Sequence, residues 1–265
     1  MASDGNKLSV PVGLRSPWRQ PPRNIALEEG LRAELVAKGG RGFFVCGRNE
    51  PAVIVGRNQN ALAELSPQAR ERGVRVYRRT SGGGAVYHDA GNLNWSWIVS
   101  GGLPDRTRLL HAILRVLRDL GIAAEEGPRS GIYVDGEKVG GTATAAGRDV
   151  LLFHGTLLVS TDLAELKASL AAHAPAYPAE GSGVFALQGV ASVPAALTTL
   201  DRLAPGLDVD ALETALFAAI SRDRLPCPPE TVIDLSAIER LAQEYARESW
   251  ILHRKPPARP PRGKP

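Results

Sequence analysis

Residues 78–99, RRTSGGGAVYHDAGNLNWSWIV, place three consecutive glycines between an arginine pair and a Tyr-His-Asp step. Backbone at Gly82, Gly83 and Gly84 has no Cβ atoms, so it can approach a ligand closely and turn N–H groups toward phosphate or carboxylate oxygens. Arg78 and Arg79 precede the triplet, and a planar guanidinium matches the same oxygens. His88 and Asp89 follow it. A hairpin loop needing positive φ accounts for glycines alone but requires none of these flanks. No Lys-Ser/Thr follows, so this is no Walker loop, and the spacing is not a dinucleotide fingerprint. The stretch reads as an anion cradle. A second polar candidate, Lys138, lies in the turn-rich segment DGEKVGG; an exposed hairpin lysine is the ordinary reading there.

The elements that must position these residues alternate between short strands and helices. In NIALEEGLRAELVAK, residues 24–38, Leu27, Leu31 and Leu35 have helical spacing behind Asn24, a candidate cap. GFFVCG and AVIVG read as strands separated by an Asn-Glu-Pro turn. ALAELSPQARERG reads as a broken helix leading into the strand VRVYRR. Residues 92–99 alternate, with Leu93, Trp95 and Trp97 on one face and Asn94 and Ser96 on the other. The two tryptophans are read as core. The segment 106–120 reads as a helix burying Leu110, Ile113, Leu114 and Leu117; GIYVDGEKVGG reads as a hairpin turning at Asp135-Gly136, followed by an apolar strand at 150–159. The pattern turns helical after about 205. Many links between strands are too short for parallel crossovers, so the fold class is α/β of the α+β type, with mixed, largely antiparallel sheets flanked by helices.

Composition bounds the function. At 265 residues and 43% hydrophobic content, the chain suits one large or two small soluble domains. The longest apolar runs are too short to cross a bilayer, and MASDGNKLSV is not a signal peptide; neither observation invites a membrane partner. Cys46 and Cys227 make no ligand spacing and no obvious bridge, which suits a reducing cytoplasm. The net charge is +4. The final residues, RKPPARPPRGKP, hold Arg254, Lys255, Arg259, Arg262 and Lys264 without an acid, which leaves about −1 over residues 1–253. Nucleic-acid binding needs its charge on a folded face, and this charge sits on a proline-rich tail that cannot fold compactly. The expected organisation is an extension at 1–23, a catalytic domain at 24–253 and a disordered basic tail at 254–265.

RRTSGGGAVYHDAGNLNWS resembles, almost residue for residue, the signature of the lipoate–protein ligases, which share a catalytic fold with biotin ligases and octanoyltransferases. The likeness extends to NIALEEGL, to PAVIVGRNQNALAELSPQARERGVRVYRR, to GEKVGGTATAAGRDVLLFHGTLLVSTDL and, more loosely, to GVASVPAALTTL. It covers roughly residues 24–250. The resemblance implies a ligase that uses ATP and Mg²⁺ to convert lipoate, or octanoate, into an acyl-adenylate. The acyl group then passes to a lysine of a lipoyl-domain acceptor protein.

Carried over position by position, the resemblance makes Lys138 the catalytic residue. Arg79, Ser81, Gly82, Gly83, Gly84, Val86, His88 and His154 join it in binding the acyl-adenylate, with no proton transfer assigned to either histidine. No metal ligand is assigned. Val55, Val86 and Leu157 are candidates for the apolar slot by position alone, while His111 and His173 read as structural or solvent-facing. Two departures stand out. The family's Arg-Asn-Asp step reads Arg129-Ser130-Gly131 here, and the segment corresponding to a small accessory domain is expected to be missing, so a separate accessory subunit could replace it. Two alternatives remain open. One is a cysteine-dependent octanoyl or lipoyl acyltransferase working from a carrier protein, which requires a thiolate near the site. The other is a non-catalytic lipoate-binding homologue.

Overall fold

The alternating segment at 92–99 forms the centre of the main sheet. The computed structural model describes residues 10–101, 105–147, 149–171, 192–222 and 224–256; His173 and most of the basic tail lie outside them. Strand β6 (Asn92–Ser100) pairs antiparallel with β2 (Phe43–Gly47) on one side and β11 (Val150–Leu158) on the other. Beyond them lie β1 (Val12–Arg15), parallel to β2, and β10 (Thr142–Ala146), antiparallel to β11. The alternation places Leu93, Trp95 and Trp97 against helices α3 (Asp105–Asp119) and α6 (Val209–Ser221), where Trp95 meets Phe153 edge-on with ring centroids 5.2 Å apart. Helix α1 (Pro21–Lys38) covers the opposite face, packing Leu27, Leu31 and Leu35 on Phe43, Val45 and Ile98.

Two smaller sheets flank the main one. The first orders β4 (Val76–Arg78), β3 (Ala52–Val55) and β5 (Val86–His88); the second orders β7 (Glu125–Glu126), β8 (Ile132–Val134) and β9 (Glu137–Gly140). Asp135 and Gly136 turn the last hairpin with φ of +49° and +79°, both left-handed, as the Asp-Gly pair implies. The architecture is the expected mixed, largely antiparallel one. Its parallel pairs, β1–β2 and β3–β4, each enclose a helix in the link: α1 in the first and α2 (Pro67–Glu71) in the second.

Two local expectations are corrected. Helix α1 starts at Pro21 with Gln20 as its N-cap residue, because proline at the first helical positions gives up no hydrogen bond. The Asn24 amide instead ties Trp18, Arg48 and Asn49 together. The Asn-Glu-Pro turn separates two strands as expected, and these belong to different sheets. Residues assigned to an extension contain β1, whose Leu14 is fully buried and whose N–H and C=O groups pair with β2.

Candidate active site

Arg79 organises the glycine loop between β4 and β5. Its Nη2 donates to the carbonyls of Gly82 at 2.6 Å and Gly84 at 2.8 Å, its Nη1 to Ile54 at 3.1 Å, and its Nε to the Ser81 hydroxyl at 3.0 Å. Burial lowers its pKa to about 10, while Glu28 and Glu64 act in the opposite direction, so it remains a cation at neutral pH. Gly83 adopts φ +87°, and a Cβ on neighbouring Gly56 would stand 2.1 Å from the Gly83 carbonyl. The loop therefore needs glycine for conformation at one position and for close approach at another. Arg79 spends these donors on the loop's carbonyls, so it shapes the cradle from behind. Arg78 does not face the cradle at all. It is fully buried, and its guanidinium binds the carbonyls of Gly56, Arg57, Gln59, Trp250 and Ile251.

The Ser81 hydroxyl lies 2.6 Å from His154 Nε2, and His154 Nδ1 lies 2.9 Å from a Glu28 carboxylate oxygen. Burial raises the Glu28 pKa, but the charge and hydrogen bond of His154, the Ser96 hydroxyl and the Arg32 charge together hold it below the usual carboxylate range. Sequence reading did not find Glu28. Its signal was an acid three residues after Ile25 on the helix face that packs inward.

A cavity of about 260 Å³ lies between the glycine loop, α1, β11 and the lysine hairpin. Gly83, Gly84, Val86, His88, Lys138 and His154 line it, as does Arg79. Ser81 and Gly82 support the loop without lining the cavity, while Val55 and Leu157 are fully buried in the core, which removes them from the apolar slot. Ile25 and Ile54 supply apolar wall instead. Trp95 backs the wall from within the core. His111 is exposed, in keeping with its solvent-facing reading.

Lys138, which also lines the cavity, is anchored through its backbone. Its N–H donates to Ala196 at 2.8 Å and its carbonyl accepts from Thr198 at 3.2 Å. Its pKa is lowered by burial first and by the Arg129 charge second. Arg129, also lining the cavity, has φ +57°, and the following Ser130 has φ +54°; two successive non-glycine residues in this region store strain. The Arg106 guanidinium donates to the Ser130 hydroxyl, and Thr142 Oγ1 donates to the Ser130 carbonyl at 2.8 Å, which holds the turn. A Cβ at Gly131 would lie 3.2 Å from Lys138 Cε, so the departure from Arg-Asn-Asp leaves room for the lysine stem. Among the described residues neither Lys138 nor Arg129 has an acidic partner, and the one carboxylate lining the cavity, Glu28, is engaged by His154 and Ser96.

The chain thus combines a mixed-sheet domain, a glycine loop and a cavity lined by a lysine without an acidic partner among the described residues. Residues 20–221 match the lipoyl protein ligase A/B catalytic domain, and the chain belongs to that family. Among curated relatives, lipoate–protein ligase 1 of Staphylococcus aureus is 36% identical over 154 residues, which are 57% of this chain and 46% of that protein. The match thus spans about half the length of the relative. Among solved structures, P. falciparum LipL1 in complex with lipoate superposes with a TM-score of 0.75 at 22% identity, over 93% of this chain and 75% of that one. The bi-partite lipoate protein ligase of Thermoplasma acidophilum superposes with a TM-score of 0.71 at 24% identity, over 93% of this chain and 97% of that one. At these identities the two structures are likenesses of fold.

Proposed function

We propose that this protein is a lipoate–protein ligase that converts lipoate, or octanoate, and ATP into acyl-AMP and then acylates a lysine of a lipoyl domain. The observation that carries the reading is the cavity itself, lined by Lys138 and Arg129, which have no acidic partner among the described residues, and by apolar Ile25, Ile54 and Val86. A carboxylate beside these cations attacks the α-phosphorus of ATP and releases pyrophosphate; the acceptor amine then attacks the acyl carbon, loses a proton and releases AMP. Lys138 and Arg129 stabilise the negative charge that develops in both steps. Gly83 and Gly84 admit the intermediate against the backbone, held there by Arg79 and Ser81. His154 and His88 are binding-site residues, as is Val86.

Mg²⁺ is not matched by a protein cage. Among the described residues no group of three or more His, Cys, Asp or Glu side chains could hold a metal ion, and Gly131 stands where the resembled family has a carboxylate. A cation would be held chiefly by the nucleotide's own phosphates, and no step here depends on a protein ligand to it. A thioester route lacks support, because neither cysteine lines the cavity; Cys46 is fully buried and its thiol is pushed up by burial. A non-catalytic homologue would have no use for a half-buried Lys138 that lines a 260 Å³ cavity and, among the described residues, lacks an acidic partner to offset its desolvation.

The partner reading extends to an acceptor lipoyl domain and a separate accessory chain, supported by the likeness to the bi-partite archaeal ligase. No helix among the described residues is long and apolar enough to cross a membrane, which is compatible with the proposed cytoplasmic location. The deciding experiment incubates the protein with ATP, lipoate and a lipoyl domain and reads acceptor mass. A gain of one lipoyl group supports the ligase; modification only from octanoyl-carrier protein would transfer the assignment to the acyltransferase.

A further inference from the structure

Residues 192–198, SVPAALT, touch both the glycine loop and Lys138. At the start of this stretch the Ser192 hydroxyl accepts from the Ala85 N–H at 2.8 Å, directly after the glycine triplet, and a Cβ on Gly84 would stand 3.1 Å from the same oxygen. The Gly56 N–H, which can only donate, meets Gln59 Oε1 at 2.9 Å. The Gln59 amide therefore turns its Nε2 to Ser192 and donates to the hydroxyl at 3.2 Å. With two N–H groups on its lone pairs, Ser192 Oγ gives its own proton to the carboxylate of Glu64, a residue only 1% exposed. The one donor and two acceptor positions of the hydroxyl are thereby filled. Ser192 lines the cavity, yet its hydroxyl has no hydrogen bond left to offer a ligand.

Further along the stretch, the Lys138 N–H donates to the Ala196 carbonyl and the Thr198 N–H to the Lys138 carbonyl, with Leu197 bridged in parallel to Lys138. Thr198, Thr199 and Leu200 are buried, which fixes this part in the core. Val193, Pro194, Ala195 and Ala196 are exposed, so the Ser192 end is held by its hydrogen bonds rather than by packing. Only four residue steps lie between Ser192 and Ala196, which keeps the two anchor points within about 14 Å of each other. A short strap thus ties the glycine loop to the lysine. We propose that Ser192 is a positioning residue, whose hydroxyl, oriented by Glu64, holds the glycine loop in register with Lys138 for acyl transfer.

The inference rests on the acyl-adenylate reading above, and its test separates the two. Single-turnover transfer from synthetic lipoyl-adenylate to a lipoyl domain is read by acceptor mass, and lipoate affinity by calorimetric titration of the full chain. Ser192→Ala is expected to slow transfer about tenfold while lipoate affinity stays within about twofold, because the shift acts on the reacting geometry and removes no ligand contact. In the Lys138→Ala background the same substitution should slow transfer less than about twofold, since no lysine remains to be kept in register. A second variant inserts two glycines between the exposed Pro194 and Ala195, which slackens the strap without removing a side chain. It is expected to slow transfer in the same way, and it decides the matter should Ser192→Ala fail to fold. A wild-type rate in either variant, or equal slowing with and without Lys138, overturns the inference while leaving the ligase reading intact. A fall in lipoate affinity as large as the fall in rate also overturns it, by making Ser192 a ligand contact. No transfer by the wild type overturns both.

Discussion

At the scale of single residues, the site separates side chains that face the cavity from those that hold its walls. Lys138 has no acidic partner among the described residues to lose, so Lys138→Ala is expected to leave the melting temperature nearly unchanged. Acyl-adenylate formation and transfer should fall by roughly 10²-fold or more, as when a charge-stabilising group is removed. Normal turnover with normal folding would remove Lys138 from the mechanism. Replacing both cysteines tests the competing chemistry: Cys227→Ser should be silent, and Cys46→Ala should cost about 1 kcal/mol of packing with activity kept. If Cys227→Ser alone abolishes transfer in a folded protein, the thioester route takes over. His88 also makes a pH prediction. Its folded pKa of about 3 lies below the ordinary 6.5, so the unfolded chain binds this proton first. The stability it contributes is complete above pH 6.5 and is lost as pH falls toward 3, at up to about 1.4 kcal/mol per unit. Glu28, also depressed, acts below its ordinary 4.5, so the interval from 5 to 6.5 isolates the histidine from it. Urea denaturation across that interval should show the slope in the wild type and a shallower one in His88→Phe. Equal slopes would contradict a buried neutral ring.

At the scale of elements, much of the site was legible because its signals are local. The glycine triplet, the Asp-Gly hairpin and the alternation of β6 each depend on a few consecutive residues, and period-two alternation assigns Trp95 and Ser96 to opposite faces without tertiary knowledge. What was not legible depends on approach between distant segments. Arg78 and Arg79 are adjacent in sequence, yet one binds the carbonyls of Trp250 and Ile251 and the other binds the loop. Strand alternation sends them to different sides, and only the fold says which side holds the cavity. Glu28 is likewise identified by His154, 126 residues away. Gly56 is the clearest case, since nothing beside it in sequence requires glycine, while the Gly83 carbonyl stands where its Cβ would be. Gly56→Ala must displace that backbone. It is expected to cost about 1–3 kcal/mol by overpacking and to lower acyl transfer by roughly 10²-fold through an ångström-scale shift of the loop. Transfer assays with a thermal melt check both; an unaffected variant would mean that the loop position does not matter for catalysis.

At the scale of the whole molecule, the family match ends at residue 221, but the cooperative unit extends further. Helix α7 (Leu235–Tyr245) lies on α1, where Ile238, Ala242, Tyr245 and Trp250 form one cluster with Ile25 and Ala26. Ile25 also lines the cavity, so this packing reaches the site through a single helix. Cys227 donates its N–H to the Gly13 carbonyl at 2.9 Å, which occupies the free side of β1. The indole of Trp250 donates to the Arg78 carbonyl at 2.8 Å, while Arg78 returns hydrogen bonds to the carbonyls of Trp250 and Ile251. Removing residues after 221 would strip four large or medium apolar side chains from α1 and β4, each worth about 1.5–3 kcal/mol of burial apart from the smaller alanine. It would also leave the Arg78 guanidinium short of two of its acceptors. That sum rivals the roughly 5–15 kcal/mol by which domains of this kind are stable. A chain cut after Ser221 is therefore expected to lose its cooperative melt, or to melt at least about 15 °C lower, and to lose acyl-acid binding even though every candidate site residue is retained. A cut after Lys255 should behave like the full chain. Circular dichroism and calorimetry on the two truncations decide it: if the shorter one melts cooperatively near the full-length temperature, the C-terminal helices are an appendage, and the site's walls stand on residues 10–221 alone.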